Sequence, residues 1–134
     1  EDMLKGLNAA IEGNWEEAQK WYSVGVDQGY APAMDALGDM YSTGQGVEQD
    51  LVQAEKLYRM AAEQGYAQSQ SSLAIMYDEG FGVKEDAAEA AKWYRMAADQ
   101  GHVRAQTKLA GMFEDGRGVK IVFSAADVWY RKAA

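Results

Sequence analysis

This sequence predicts an all-α fold, a short solenoid of antiparallel helix pairs, and three observations predict it. Residues 30–65 written above residues 66–101 form two blocks of 36 residues with 18 identical positions and no gap. A third copy runs from residue 102 to residue 134, three residues short of a full block. Apolar residues inside each block fall at the spacing of a helix face rather than alternating as in a strand. Glycines and acidic caps punctuate every block at the same places, as expected when one helical unit is stacked repeatedly.

Each block reads as two helices. In the first, Ala33, Leu37, Met40 and Tyr41 fall at i, i+4, i+7 and i+8, one face of an α-helix. Pro32, the only proline, sits where a first-turn proline is tolerated. In the second, Ala54, Leu57, Tyr58, Ala61 and Ala62 fall at i, i+3, i+4, i+7 and i+8, and Gly65 and Gly101 then stop the chain. The loop Gly44-x-Gly46-Val47 recurs as Gly80-x-Gly82-Val83 and Gly116-x-Gly118-Val119. Its paired glycines permit a tight reversal by accepting positive φ, and its valine is expected to plug the gap between the helices. Asp50 with Gln53, Asp86 with Glu89, and Asn14 with Glu17 have the spacing of a capping box at the start of each second helix.

The ends depart from this pattern. Residues 1–29 are a divergent copy in which Ala18, Trp21, Tyr22, Gly25 and Gly29 align with Ala54, Leu57, Tyr58, Ala61 and Gly65. They predict a lead-in hairpin of helices with Gly13-Asn14-Trp15 as its turn. The domain organisation is therefore a lead-in over 1–29, repeats over 30–65 and 66–101, and an incomplete repeat over 102–134, all within one solenoid domain. In the last copy Val122 replaces the capping aspartate, and Ser124 with Asp127 is the expected later cap. The final helix is expected to expose apolar surface where a further helix would cover it.

Composition narrows the chemistry. With no Cys and one His, disulfide frameworks, thiolate zinc sites, cysteine nucleophiles and multi-histidine metal centres are excluded. A net charge of −8 opposes binding to phosphate backbones, and no apolar run is long enough to cross a membrane as a helix. The residues before Met3 carry no basic leader, so any secretory signal is expected to have been removed. The Gly-x-Gly loops lack the preceding strand and the Lys-Ser/Thr of a phosphate loop. Acidic pairs such as Asp78-Glu79 and Glu114-Asp115 lack the alternating oxygen ligands of a calcium loop. His102 aligns with Tyr30 and Tyr66 and is expected to pack at a repeat boundary rather than act as a base. The aromatic columns, Trp21, Trp93 and Trp129 beside Tyr22, Tyr94 and Tyr130, are expected in the core.

The motif Ala-x-x-x-Leu-Gly-x-x-Tyr, then Gly-x-Gly-Val-x-x-Asp, then Ala-x-x-Trp-Tyr-x-x-Ala-Ala-x-x-Gly resembles the Sel-one-like repeat (SLR) family, a relative of the tetratricopeptide repeats. Residues 66–101 match nearly all of it, with Ser69 and Ala74 at the first Ala and the Gly. The resemblance implies a right-handed superhelix and a non-enzymatic scaffold without cofactor that binds other proteins in bacterial regulatory or cell-envelope assemblies. It favours a periplasmic or secreted location over a cytoplasmic one. It also implies that the first helix of each pair lines a concave groove. By position, the groove residues are Asp35, Asp39 and Ser42; Ser71, Ile75 and Asp78; and Arg104, Thr107 and Glu114. This mildly acidic set favours a protein or peptide partner with a basic segment. Ile121, Val122 and Phe123 form a second candidate docking patch. A monomer is expected, with end-to-end dimerisation available through the incomplete last repeat.

Two other functions remain to be weighed. Recognition of a cell-envelope polysaccharide or peptidoglycan requires exposed aromatics for sugar stacking, so Trp15, Phe81 and Trp129 would have to share an open face. An enzyme requires a deep pocket with convergent polar groups, which nothing in the sequence predicts.

Overall fold

The computed structural model describes residues 2–118 and 123–133. Among them are eight α-helices and no strand: α1 (Asp2–Ile11), α2 (Trp15–Asp27), α3 (Ala31–Thr43), α4 (Leu51–Glu63), α5 (Ala67–Glu79), α6 (Ala87–Asp99), α7 (Val103–Asp115) and α8 (Phe123–Ala133). They group into two compact units, Glu1–Gln64 with α1 to α4 and Gly65–Ala134 with α5 to α8. Within each unit every helix packs against the next in the chain.

The caps are those the spacing predicts. The side chains of Asn14, Asp50 and Asp86 accept the backbone N–H of Glu17, Gln53 and Glu89 at 3.3, 3.1 and 3.1 Å. The first helices end in a left-handed glycine each time, Gly44, Gly80 and Gly116, with φ of 76, 73 and 70°. The backbone N–H of Asp50 and of Asp86 then returns to the carbonyls of Tyr41 and Tyr77, both at 2.9 Å, which closes the loop before the second helix begins. Val47 and Val83 are half-buried in those loops, while Val119 lies outside the described residues. Helix α8 opens at Phe123, so Ser124 falls inside its first turn rather than at the expected cap.

The core is the repeated face. Leu37, Leu73 and Leu109 are buried, as are Met40, Met76 and Met112, and Ala54, Ala61, Ala90 and Ala97 are fully enclosed. Each buried leucine or methionine contributes about 1.5–3 kcal/mol by leaving water. The alanines contribute mainly by letting helices approach. That approach is closest where glycine replaces alanine. A Cβ on Gly25 of α2 would lie 2.5 Å from the Ala33 Cβ of α3. A Cβ on Gly6 would lie 2.5 Å from the Tyr22 ring, and one on Gly38 would lie 2.9 Å from the Tyr58 ring.

The aromatic columns are less uniformly interior than their spacing suggests. Tyr22, Tyr58, Tyr94, Trp93 and Trp129 are buried, but Trp21 is half-buried and Tyr130 is exposed. Trp21 is covered by lysine stems instead of helices, with Lys5 and Lys20 Nζ 4.4 and 5.5 Å from its ring centre. Tyr130 points its hydroxyl outward to donate to Glu114 Oε2 at 3.1 Å.

Glycines at two positive-φ positions separate conformational from steric demand. Gly101 has φ +88° with open space where a Cβ would stand, whereas a Cβ on Gly118 (φ +67°) would lie 2.3 Å from the Ala87 carbonyl oxygen. Gly101→Ala should therefore cost about 1–2 kcal/mol, the left-handed penalty alone. Gly118→Ala must also push α6 away and should cost at least about 3 kcal/mol. Denaturant midpoints of the two variants check the difference.

Candidate functional site

The exposed side of the first helices is built by what the second helices take from them. In α3 the positions facing α4 are filled, and Tyr58 reaches across from α4. Its hydroxyl donates to Asp39 Oδ1 at 2.5 Å and lies 3.3 Å from Ser42 Oγ. Much of Asp39 faces solvent, yet partial desolvation holds its carboxyl above the usual carboxylate range, an effect the Tyr58 hydrogen bond partly offsets. Burial first, and then the Asp39 charge, pushes the Tyr58 phenol far above its ordinary value. Tyr58 is therefore a neutral donor at every working pH.

The nine predicted groove residues separate into three groups. Asp35 and Ser71 leave the accessible set: they are 7% and 2% exposed, although Thr107 at the same register position of the last copy is exposed, so local packing and not register alone decides burial here. The Asp35 charge is felt at the Tyr58 phenol. Ser42, Ile75 and Asp78 are half-buried. Ser42 donates to the Asp39 carbonyl at 3.1 Å. The Asp78 side chain is 9% exposed and ion-paired with Arg117, Nη1 to Oδ1 at 2.6 Å, so its charge is already answered. Asp39, Arg104, Thr107 and Glu114 are exposed. Of the second docking patch, Ile121, Val122 and the Phe123 side chain lie outside the described residues.

Within the second unit, α5 and α7 bring Ile75, Asp78, Arg104, Thr107 and Glu114 onto first helices, while Leu73, Met76, Leu109 and Met112 beside them are buried. The buried positions are the same residue type from copy to copy and the outward ones are not. Position 39 reads Asp, Ile, Gly across the copies, and position 42 reads Ser, Asp, Glu.

Other polar residues, not singled out by the periodicity, tie helices together within each unit. Gln64 Nε2 donates to the Gly29 carbonyl at 3.1 Å, and Gln100 Nε2 donates to the Gly65 carbonyl at 2.9 Å. Each ties the end of one second helix to the turn one block earlier. The repeated Gln-Gly dipeptides at 28–29, 64–65 and 100–101 carried that signal. The capping-box acids are also diverted. Glu89 Oε2 accepts the Trp93 indole N–H at 3.0 Å and Glu17 Oε1 that of Trp21 at 3.4 Å. Where position 57 is Leu instead of Trp, the matching residue is Gln53.

His102 is the N-cap of α7 rather than a packing residue. Its Nδ1 accepts the Ala105 N–H at 3.2 Å and its Nε2 lies 3.1 Å from Gln68 Oε1. Accepting that N–H requires the neutral ring, and burial followed by the Arg104 charge lowers its pKa accordingly. Both ring nitrogens are thus committed to structure. Among the described residues no cluster of three or more His, Asp or Glu side chains could hold a metal ion. Among the described residues, the hollow lined by Gln19, Tyr41, Val47, Glu48, Gln49 and Asp50 is open to solvent. Trp129 is 6% exposed, with Arg95 and Lys132 over its ring, so it cannot join Trp15 and Phe81 as an open sugar platform.

Two predictions follow from these partners. Tyr58→Phe removes a donor to a carboxylate and should destabilise by about 1 kcal/mol in a denaturation assay. For His102 the folded pKa lies below the unfolded one, so its contribution is complete above about pH 6.5 and is lost as pH falls from there toward the folded value. His102→Asn, a cap that does not titrate, should flatten the melting temperature between about pH 7 and 5.5 relative to the parent.

The family model described as Sel1 repeat matches residues 31–66, 67–102 and 103–134. Among solved structures, a protective antigen present in uropathogenic Escherichia coli strains, described as displaying an SLR fold, matches with TM-score 0.94 and 39% identity over 98% of this chain and 29% of its own. A Sel1 repeat protein from Oxalobacter formigenes matches with TM-score 0.95 and 34% identity over 98% of this chain and 54% of its own. The chain thus spans less than a third of the first protein and about half of the second. No curated protein matches it.

Proposed function

The chain belongs to the Sel1 repeat family, and from that premise we propose that it is a non-enzymatic scaffold that binds a protein or peptide partner on the outward side of its first helices. The observation that carries this reading is the contrast along those helices. Positions 37 and 40 are buried and unchanged from copy to copy, while positions 39 and 42 are outward or half-buried and differ in every copy. A solenoid holds such side chains on rigid helices, so a partner is recognised with little ordering cost on the scaffold side. The exposed residues of the set are Asp39 in the first unit and Arg104, Thr107 and Glu114 in the second. Asp35 and Ser71 act in packing, and Asp78 holds Arg117. The acidic members favour a partner segment with basic residues. The bacterial neighbours fit a role in a bacterial regulatory or cell-envelope assembly.

The test is a pull-down from the source cell with partners identified by mass spectrometry, comparing the parent with the double variant Asp39→Lys and Glu114→Lys. Asp78 is left intact because its charge already pairs with Arg117, whereas Asp39 and Glu114 lose only the hydrogen bonds they accept from Tyr58 and Tyr130. A partner captured by the parent at low salt should be lost by the variant and weakened at high salt, with circular dichroism showing the helices intact. Equal capture by both proteins overturns recognition through these residues.

A further inference from the structure

Helix α1 exposes a second apolar stripe that the packing of the first unit does not use. Gly6 and Ala9 are buried, with Gly6 against the Tyr22 ring. Leu4, Leu7 and Ile11 fall at i, i+3 and i+7 on another side and are 60, 41 and 82% exposed. Lys5, Asn8 and Glu12 form an adjoining polar stripe that is also exposed.

The register says what the apolar stripe faces. Gly6 lies against Tyr22 as Gly38 lies against Tyr58. Leu4, Leu7 and Ile11 therefore occupy the positions that Ala36, Asp39 and Thr43 hold on α3. That is the outward side on which Asp39 stands. The Asp39 charge is also felt at the Tyr22 phenol, which joins the two helices on this side. The stripe is not the surface on which an earlier helix pair would stack. Trp129, the equivalent of Trp21 in the last copy, takes Arg95 of the preceding pair over its ring at 5.4 Å. The stacking side of α1 and α2 is thus the Trp21 side, where Lys5 sits.

Charge identifies the occupant. Residues 1–64 contain 12 acidic and four basic side chains, whereas residues 65–134 contain nine of each, so the first unit carries the whole net charge of −8. Three of its four cations are already engaged: Lys5 and Lys20 over Trp21, and Arg59 with Glu55 at 2.8 Å. An apolar stripe within so acidic a unit repels a second copy of itself and an anionic lipid surface alike. It complements a helix that is apolar on one side and basic on the other.

We propose that Leu4, Leu7 and Ile11 form the docking stripe for a cationic amphipathic helix of a partner protein, with Asp39 and the surrounding acidic residues reading its basic side. This rests on the scaffold reading above and names the partner chemistry for the first unit.

The probe is a synthetic Leu/Lys amphipathic peptide, titrated by fluorescence anisotropy into the full chain. A scrambled Leu/Lys peptide and a Leu/Glu peptide with the same leucine positions serve as controls. The amphipathic cationic peptide should bind at least tenfold more tightly than either control and should slow amide exchange along α1. The triple variant Leu4→Gln, Leu7→Gln, Ile11→Gln should lose at least tenfold in affinity. Gln is a good helix former and all three sites are exposed, so circular dichroism should be unchanged. Equal binding of the scrambled peptide, equal binding of the Leu/Glu peptide, or unchanged affinity of the triple variant overturns the proposal. So does a dimer in sedimentation that the triple variant dissolves, since a second copy would then be the occupant. If the peptide fails while a partner is still lost on changing Asp39 and Glu114, the scaffold reading stands and only this stripe is removed.

Discussion

The structure depends on how closely its helices approach, and small side chains decide that distance. Alanines at 54, 61, 90 and 97 are completely enclosed. At the tightest points even alanine is too large, so glycine stands at Gly25 against Ala33 and at Gly6 and Gly38 against tyrosine rings. With backbones that near, each larger residue has one place to go. Leucines and methionines are buried beside them, and the rings of Tyr22 and Tyr58 lie against Gly6 and Gly38. Cores packed at this density respond to single methyl groups, which is why these positions stay among Gly, Ala and Ser from copy to copy while the outward ones vary freely.

Close approach also raises a polar accounting problem, since helix ends are brought into the packed region. Asp50 and Asp86 answer it at the start of second helices and His102 at the start of α7. Gln64 and Gln100 answer it at the turns. Those glutamines bond to a carbonyl one block back, so the same contact that satisfies the backbone also ties each second helix to the preceding turn within its unit. Among the described residues of the second unit, Ser71 Oγ and Gln106 Oε1 are buried without a partner. The repeat thus tolerates imperfect satisfaction where side-chain identity is held by shape.

What is left over is the chemistry available to a partner. Once packing, caps and clamps have taken their residues, the first helices still present Asp39, Arg104, Thr107 and Glu114, and α1 adds Leu4, Leu7 and Ile11. The net charge is confined to the first unit, so the two units present chemically different surfaces built on one scaffold. A repeat protein can specialise in this way because its outward side chains contribute little to holding it together.

Taken alone, the sequence determined the helix pairs, their punctuation and nearly all of the core. Each of these follows from local periodicity: Leu37, Leu73 and Leu109 recur at fixed spacing, and Asp50 and Asp86 cap through residues three positions away. The outward-facing set was less legible, because a helical position is assigned to a face only to within the breadth of that face. Asp35 and Ser71 are polar and lie one turn before Asp39 and Ile75, yet packing buries the first two, leaves Asp39 exposed and Ile75 half-buried, and leaves Thr107, at the register of Asp35 and Ser71, exposed. The pairing of Asp78 with Arg117 spans 39 residues, and the reach of Gln100 to Gly65 spans 35, so neither could be read from neighbouring residues. The apolar stripe on α1 was hidden for the opposite reason. Leucines at helical spacing read as core, and only the packed structure shows that α2 takes the Gly6 side and leaves Leu4, Leu7 and Ile11 to solvent.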